Sequence, residues 1–413
     1  MLQTITELSH TYGSDKQFVL AGGGNTSCKD DKYLYVKPSG VSLAKIKPED
    51  FVKMDRAILR QCFEWGDIAD KSVREERIKK LMAYSVVAGE RRASVEAPLH
   101  ELMPFTYVVH THPVLVNGMT CGKDGKAVCA QLFPTALWVD YCDPGFTLAK
   151  VVFEAAAEYK KANGVAPQVI FLQNHGVFVG ADTADEIDAL YSKIILTLHE
   201  YYQEKGVALE LQKGEAADIE TIREYAPKLR AWLGDGNVVT VTSSAPFSIA
   251  RGPLSPDHLV YAKAFGLISD APTREAVDAF KAEHGYLPRM VEIPGKALFC
   301  AGKNKANADT VLQLVENGAL IEQLSQAFGG INYLTDAQRS FIENWEVESY
   351  RAKVAAGGNA GLTGTVAVVT GGAQGFGYGI AQYLAKQGAD IVVADMNVEG
   401  AQKAAEQLGA GAL

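Results

Sequence analysis

Two histidines one residue apart, His110 and His112, close an apolar run that begins at Tyr107. On an extended strand residues i and i+2 share a face, so both rings project the same way. Two neutral imidazoles so placed reach one divalent ion at about 2.0–2.1 Å, and a third ligand completes an open, catalytic-type site. The candidate third ligand is His175, in the turn between the strand-like runs Val169-Ile-Phe-Leu172 and Val177-Phe-Val179. Glu96, shortly ahead of the histidine strand, supplies a carboxylate that serves such a site as ligand, as general base, or as each in turn. Each residue alone has a plainer reading: the histidines cap a strand, and Glu96 is an acid at the start of the helix that Pro98 opens.

These groups need elements to hold them. A short helix over residues 3–15 leads into Gly22-Gly23-Gly24-Asn25-Thr26-Ser27, a glycine turn whose N–H groups and hydroxyls suit an anion. No lysine follows in P-loop spacing, so it is not a nucleotide P-loop; it is an anion cradle or a plain hairpin turn. One hairpin later Lys37-Pro38-Ser39-Gly40 makes a second hydroxyl-bearing turn. Residues 48–65 and 70–88 carry helical periodicity with charged faces, and His100 and Glu101 read as structural. A helix over 148–162 ends at Asn163-Gly164, and Thr183 with Glu186 opens another in capping-box spacing. Beyond a charged bridge, strands are expected at 238–242 and 297–301 and a helix at 305–328. The composition of 355–361 marks a linker.

The C-terminal stretch carries a separate signal. The strand Val366–Thr370 runs into Gly371-Gly-Ala-Gln-Gly375-Phe-Gly377, then a helix, then a strand that ends at Asp395, 20 residues past Gly375. In a dinucleotide site the glycines admit the pyrophosphate at the helix N-terminus and the acid bonds the adenine ribose, here favouring NAD over NADP. The stretch resembles the short-chain dehydrogenases, whose catalytic pair has Tyr-x-x-x-Lys spacing; Tyr201 and Lys205 have that spacing but precede the glycine turn, and are discounted.

Length and charge bound the rest. The 413 residues suffice for two or three domains, and 47% apolar with 22% charged residues is ordinary globular composition. A net charge of −9 without a basic run argues against nucleic acid or an anionic membrane as partner. Six cysteines without Cys-x-x-Cys spacing favour reduced thiols in a cytoplasmic protein. No apolar run approaches the roughly 18 residues of a spanning helix.

Taken in order, Gly23-Gly24-Asn25-Thr26-Ser27, Pro38-Ser39-Gly40, Ser94-Val95-Glu96, His110-Thr111-His112-Pro113 and Asn174-His175-Gly176 resemble the motifs of the class II aldolase/adducin family. The resemblance implies a layered α/β/α domain in which His110, His112 and His175 bind zinc or another divalent ion and Glu96 is the catalytic carboxylate. It also implies a phosphate cradle of Asn25, Thr26, Ser39, Gly40 and Ser94, with Val95 standing where fuculose-phosphate aldolases have a second serine. The C-terminal Thr-Gly-x-x-x-Gly-x-Gly resembles the short-chain dehydrogenases, with Gly371, Gly375, Gly377 and Asp395 as NAD contacts.

The expected organisation is α/β throughout: a class II aldolase-like domain over 1–225, a smaller α/β middle domain over 226–350, a linker over 351–361, and an incomplete Rossmann βαβ unit over 362–413. The implied function is metal-dependent cleavage of a ketose-1-phosphate, such as rhamnulose- or fuculose-1-phosphate, to dihydroxyacetone phosphate and lactaldehyde, with NAD used only by a complete dehydrogenase part. Epimerisation or dehydration at the same metal, and a non-catalytic adducin-like binding module, are the alternatives. A small-molecule sugar phosphate is the expected partner, and the resemblance implies a homo-oligomer, a tetramer.

Overall fold

A computed structural model describes the chain except for residues 67, 69, 90, 346–360, 410 and 413. The chain divides into two compact units, one of Met1–Glu210, Leu254–Pro256 and Leu320–Arg351, the other of Leu211–Pro253, Asp257–Ala319 and Ala352–Leu413.

The first unit is built on β1 (Asn25–Lys29), β2 (Tyr33–Val36), β3 (Val52–Asp55), β4 (Val86–Ala88), β5 (Tyr107–Thr111), β6 (Leu137–Val139), β7 (Val169–Leu172) and β8 (Gly176–Ala181). They form one sheet in the order β4-β3-β2-β1-β5-β8-β7-β6. Its neighbours pair antiparallel except β6 with β7. The central strands β1, β5, β7 and β8 are buried along their whole length, as expected where helices cover both faces. On one face Val108, Ile170, Leu172 and Phe178 pack against Leu99 and Met103, and against Leu148, Ala149 and Val152 of the helix Phe146–Asn163. On the other, Tyr191 of the helix Ala184–Glu204 reaches the Val109 carbonyl and accepts a bond from Thr111, and its ring lies 4.5 Å from Tyr12 of the helix Leu2–Ser14. The result is the expected layered α/β/α arrangement.

Within 48–65 helical periodicity misleads. Val52 and Met54 point inward against Leu34 and Val36 while Lys53 sits over the Tyr33 ring, so the period-two alternation of β3 prevails and the helix there is only Arg56–Arg60.

In the second unit β9 (Thr240–Ser244), β10 (Leu267–Ile268), β11 (Met290–Ile293) and β12 (Ala297–Gly302) form a sheet in the order β10-β11-β12-β9. Leu229 and Leu233 of the helix Ile219–Gly234 pack on its Val291, Ile293 and Phe299. That helix starts at the Asp218 cap, so 211–225 belong with the second sheet rather than with the expected first domain. Conversely Leu320 onward, expected in the middle domain, packs in the first unit, where Phe328 meets Tyr202 edge-on at 5.5 Å. The expected linker falls on residues of which 351–360 lie outside the described ones.

The same unit holds β13 (Val366–Thr370) and β14 (Asp390–Ala394), paired parallel, with helices Gly375–Lys386 and Val398–Leu408. A small cluster of Val369, Ala381, Ala389 and Ile391 is its core, and Val368, Phe376 and Met396 stand exposed. Among the described residues no helix is long and apolar enough to cross a membrane.

Candidate metal centre

His110 lies on β5 opposite Phe178 of β8 and stacks on that ring at 3.9 Å. Its Nδ1–H donates to the Val177 carbonyl at 2.9 Å, which fixes the tautomer and leaves Nε2 unprotonated. That Nε2 stands 2.9 Å from the Nε2 of His112, the residue just past the strand end. His175 comes from the β7–β8 turn, and one ring nitrogen of each of the three histidines lies within 4.8 Å of the others. Burial pushes the His110 ring well below the ordinary histidine range, so it is a neutral donor.

Two local features bring the turn this close. Asn174 holds the left-handed conformation at φ +53, and its side-chain amide donates to the carbonyls of Leu254 and Asn332 at 3.0 and 2.9 Å. Gly176 follows, and a Cβ there would stand 2.5 Å from the Thr111 carbonyl oxygen and 2.6 Å from the His112 ring. Only glycine lets β8 pass the histidines.

Glu96 is buried at the start of the helix Ala97–Leu102. Its two oxygens face the rings separately, Oε2 at 3.6 Å from His110 Nε2 and Oε1 at 3.5 Å from His175 Nε2. Burial would raise its pKa, but His110, His175, the Asn25 amide and His112 outweigh that and hold it at about 2.

The bond from Asn25 orders a buried chain of polar groups. An ionised carboxylate only accepts, so the Asn25 Nδ2–H donates to Glu96 Oε2 at 2.5 Å and its carbonyl oxygen turns the other way. There it accepts from His100 Nε2–H, and His100 Nδ1 in turn accepts from the Ser27 hydroxyl at 2.7 Å. Burial lowers the His100 pKa to about 3, so the ring stays neutral in that tautomer. Glu101, by contrast, is turned to Arg56 and Arg60 at 2.9 and 2.6 Å and takes no part.

A cleft opens in front of Glu96, His112 and His175, and Asn25, Ser39, Gly40 and Ser94 line it too. Ser39 and Ser94 meet because an antiparallel bridge joins Pro38 to Ala93, with Ser39 N–H donating to the Arg92 carbonyl and Ser94 N–H to the Lys37 carbonyl. Of the expected cradle only Thr26 is not brought to the cleft: its hydroxyl lies 2.7 Å from Ser9 on the opposite face of β1, because Asn25 and Ser27 take the near face. Lys37, buried and lining the cleft, escaped the sequence reading although it stands in the Lys-Pro-Ser-Gly turn.

The four C-terminal residues also come together, at the ends of β13 and β14. Gly371 and Gly375 have φ of +66 and +60, and a Cβ on Gly377 would meet the Gly371 carbonyl oxygen at 2.1 Å. Asp395 accepts from the Asn397 and Ala373 N–H groups at 3.0 and 3.1 Å, which hold its carboxyl below the usual range.

Residues 3–192 match the Class II Aldolase and Adducin N-terminal domain family, and residues 365–412 match the short chain dehydrogenase family. The uncharacterized oxidoreductase YuxG of Bacillus subtilis is 26% identical across 97% of this chain, which spans 65% of that relative's length. The L-fuculose phosphate aldolase of Methanocaldococcus jannaschii is 26% identical over 45% of this chain and 88% of its own. Among solved structures, the N-terminal class II aldolase domain of a conserved protein from Thermoplasma acidophilum matches 48% of this chain and 92% of its own, at 24% identity and a TM-score of 0.42.

Proposed function

We propose that the class II aldolase domain carried by residues 3–192 is a metal-dependent carbon–carbon lyase acting on a ketose-1-phosphate, of which rhamnulose- and fuculose-1-phosphate are the first candidates. The observation that carries this reading is the convergence of three histidine nitrogens on one point beside a separately held carboxylate, with His112, His175 and Glu96 lining a cleft.

The donor set fits a divalent ion. His110 has an unprotonated Nε2 and a fixed tautomer, His112 and His175 face the same point, and the low-lying Glu96 carboxylate supplies negative charge beside them. When bound, such an ion supplies Lewis-acid stabilisation of charge that develops on a carbonyl oxygen. The protein's own residues do the rest. Glu96 is the proton carrier: it takes the proton of the hydroxyl at the bond to be broken and returns one to carbon after cleavage. Asn25 holds Oε2 in place, leaving Oε1 on the His175 side. Ser39, Gly40 and Ser94 offer hydroxyls and a turn to the phosphate, and Lys37 lies in the same cleft as a nearby cation. The products in this reading are dihydroxyacetone phosphate and lactaldehyde.

A division into an aldolase-like domain, a middle domain, a linker and a Rossmann unit belongs to this reading, as do assembly into a homo-oligomer and a nicotinamide site at Gly371, Gly375, Gly377 and Asp395 that only a complete dehydrogenase part would use.

The test is direct. Purified protein incubated with L-rhamnulose-1-phosphate and L-fuculose-1-phosphate should release dihydroxyacetone phosphate, lose that activity to a chelator and regain it with zinc. An epimer or a dehydrated sugar phosphate with no dihydroxyacetone phosphate would move the assignment to another reaction of the same site. Inertness with every metal and sugar phosphate would leave a binding module.

A further inference from the structure

The second sheet reproduces half of the first. Its order β9-β12-β11-β10 is that of β5-β8-β7-β6, with the single parallel pair in the same place. The correspondence extends to residues. The strands β7 and β8 and the helix after them begin at 169, 176 and 184 and end at 172, 181 and 204; β11, β12 and their helix begin at 290, 297 and 305 and end at 293, 302 and 325. Each bound is shifted by the same 121 residues.

The pairing follows that shift. Val169 opposite Val179 becomes Met290 opposite Cys300, and Leu172 opposite Gly176 becomes Ile293 opposite Ala297. So do isolated hydrogen bonds: Gly180 to Gln168 becomes Ala301 to Arg289, and His175 to Leu172 becomes Lys296 to Ile293. The helix ahead of each hairpin stops at a left-handed glycine, Gly164 or Gly285, and each turn holds a left-handed residue, Asn174 or Gly295. The helix after it buries Ile187, Ile194 and Leu198 in one case and Ala308, Val315 and Ala319 in the other. The flanking strand agrees as well. His110 opposite Phe178 corresponds to Ser243 opposite Phe299, so His112-Pro113 corresponds to Ala245-Pro246.

We propose that residues 237–325 are a second copy of the site-bearing half of the first sheet, in which Ser243, Ala245 and Lys296 occupy the positions of His110, His112 and His175. The copy then carries no imidazole at any of the three corresponding positions. One compensation supports this. Gly176 passes both the Thr111 carbonyl and the His112 ring, whereas Ala297 carries a Cβ at that position opposite a segment in which Ala245 has no ring. The loss of the ring and the gain of the methyl go together.

The inference uses the metal reading only in its test, which separates the two. The full chain and its variant Ser243→His/Ala245→His/Lys296→His/Ala297→Gly are stripped of metal, dialysed against Co²⁺ and analysed for bound cobalt. A gain of one ion per chain over the unmodified protein is expected, with His110→Ala removing the first ion and not the second. No gain by a variant whose circular dichroism matches the parent overturns the copy. If the unmodified chain binds no cobalt while the variant binds one, the copy stands and the metal reading of the first site fails. Should the variant not fold, an experimental structure of the unmodified chain decides: residues 290–325 laid on 169–204 agree within about 2 Å over Cα, the spread of like elements, or the proposal falls.

Discussion

The two halves that share β-order and register differ in what stands at three positions, and that difference separates fold from function. In the first, backbone geometry delivers His110, His112 and His175 to one point beside Glu96. In the second, the same strand pairings deliver Ser243, Ala245 and Lys296. The register is a property of backbone pairing and of a hydrophobic alternation that tolerates many side chains, whereas metal chemistry tolerates very few.

The sharpest way to break this contrast is to substitute the third position in each half. His175→Ala should abolish metal retention and lower kcat/KM by about a thousandfold or more, while Lys296→Ala should leave both unchanged; equal effects would mean that the second half takes part in the chemistry. Glu96→Gln should come next, lowering kcat by about 10²–10⁴ with metal content intact in elemental analysis. Loss of the ion with the rate would make Glu96 chiefly a ligand.

A smaller effect is expected one bond further out. His100→Leu should reduce kcat about 10- to 100-fold with KM little changed, because it removes the donor to Asn25 Oδ1 and frees the Asn25 amide to rotate away from Glu96. It should also flatten an acid-stability slope. A ring whose pKa falls from 6.5 to about 3 on folding is protonated first in the unfolded chain, so stability is lost as pH drops from 6.5 toward 3. Glu96, depressed from 4.5 to about 2, adds stability above pH 4.5 that is lost on further acidification. Urea titrations of the metal-free protein should show each group contributing up to about 1.4 kcal/mol per pH unit, and the His100→Leu variant should lack its share between 6.5 and 3.

The gentlest test exchanges glycine for alanine at the matched strand starts. Gly176→Ala should cost about 1–3 kcal/mol, since its Cβ would meet backbone and the His112 ring. Ala297→Gly should cost only about 0.5–1 kcal/mol in thermal unfolding. Similar penalties would mean that the two turns are not equivalent.

The first site was legible in the sequence for the same reason that its copy was not. Histidine, glutamate and glycine announce themselves by type, and β5 with its neighbours reads as apolar runs around them. Ser243, Ala245 and Lys296 announce nothing, and only the shared register connects them to the histidines. Thr26 was misplaced because β1 is buried on both faces, so Asn25-Thr26-Ser27-Cys28-Lys29 offers no polar alternation from which to read the near side. Lys37 went unassigned because a lysine ahead of a Pro-Ser-Gly turn reads as solvated until the Pro38–Ala93 bridge buries it. The β3 strand was lost inside a helical pattern for want of length, being four residues long.

The anchoring of Asn174 bears on the order in which the protein is made. Its amide is held by carbonyls 80 and 158 residues downstream, at Leu254 and Asn332. During synthesis the stretch that carries all three histidines emerges long before those acceptors do. His175 therefore waits, on a turn without its anchors, until the ribosome has delivered most of the chain, and a nascent polypeptide released early would have the histidines without the clamp that sets their spacing.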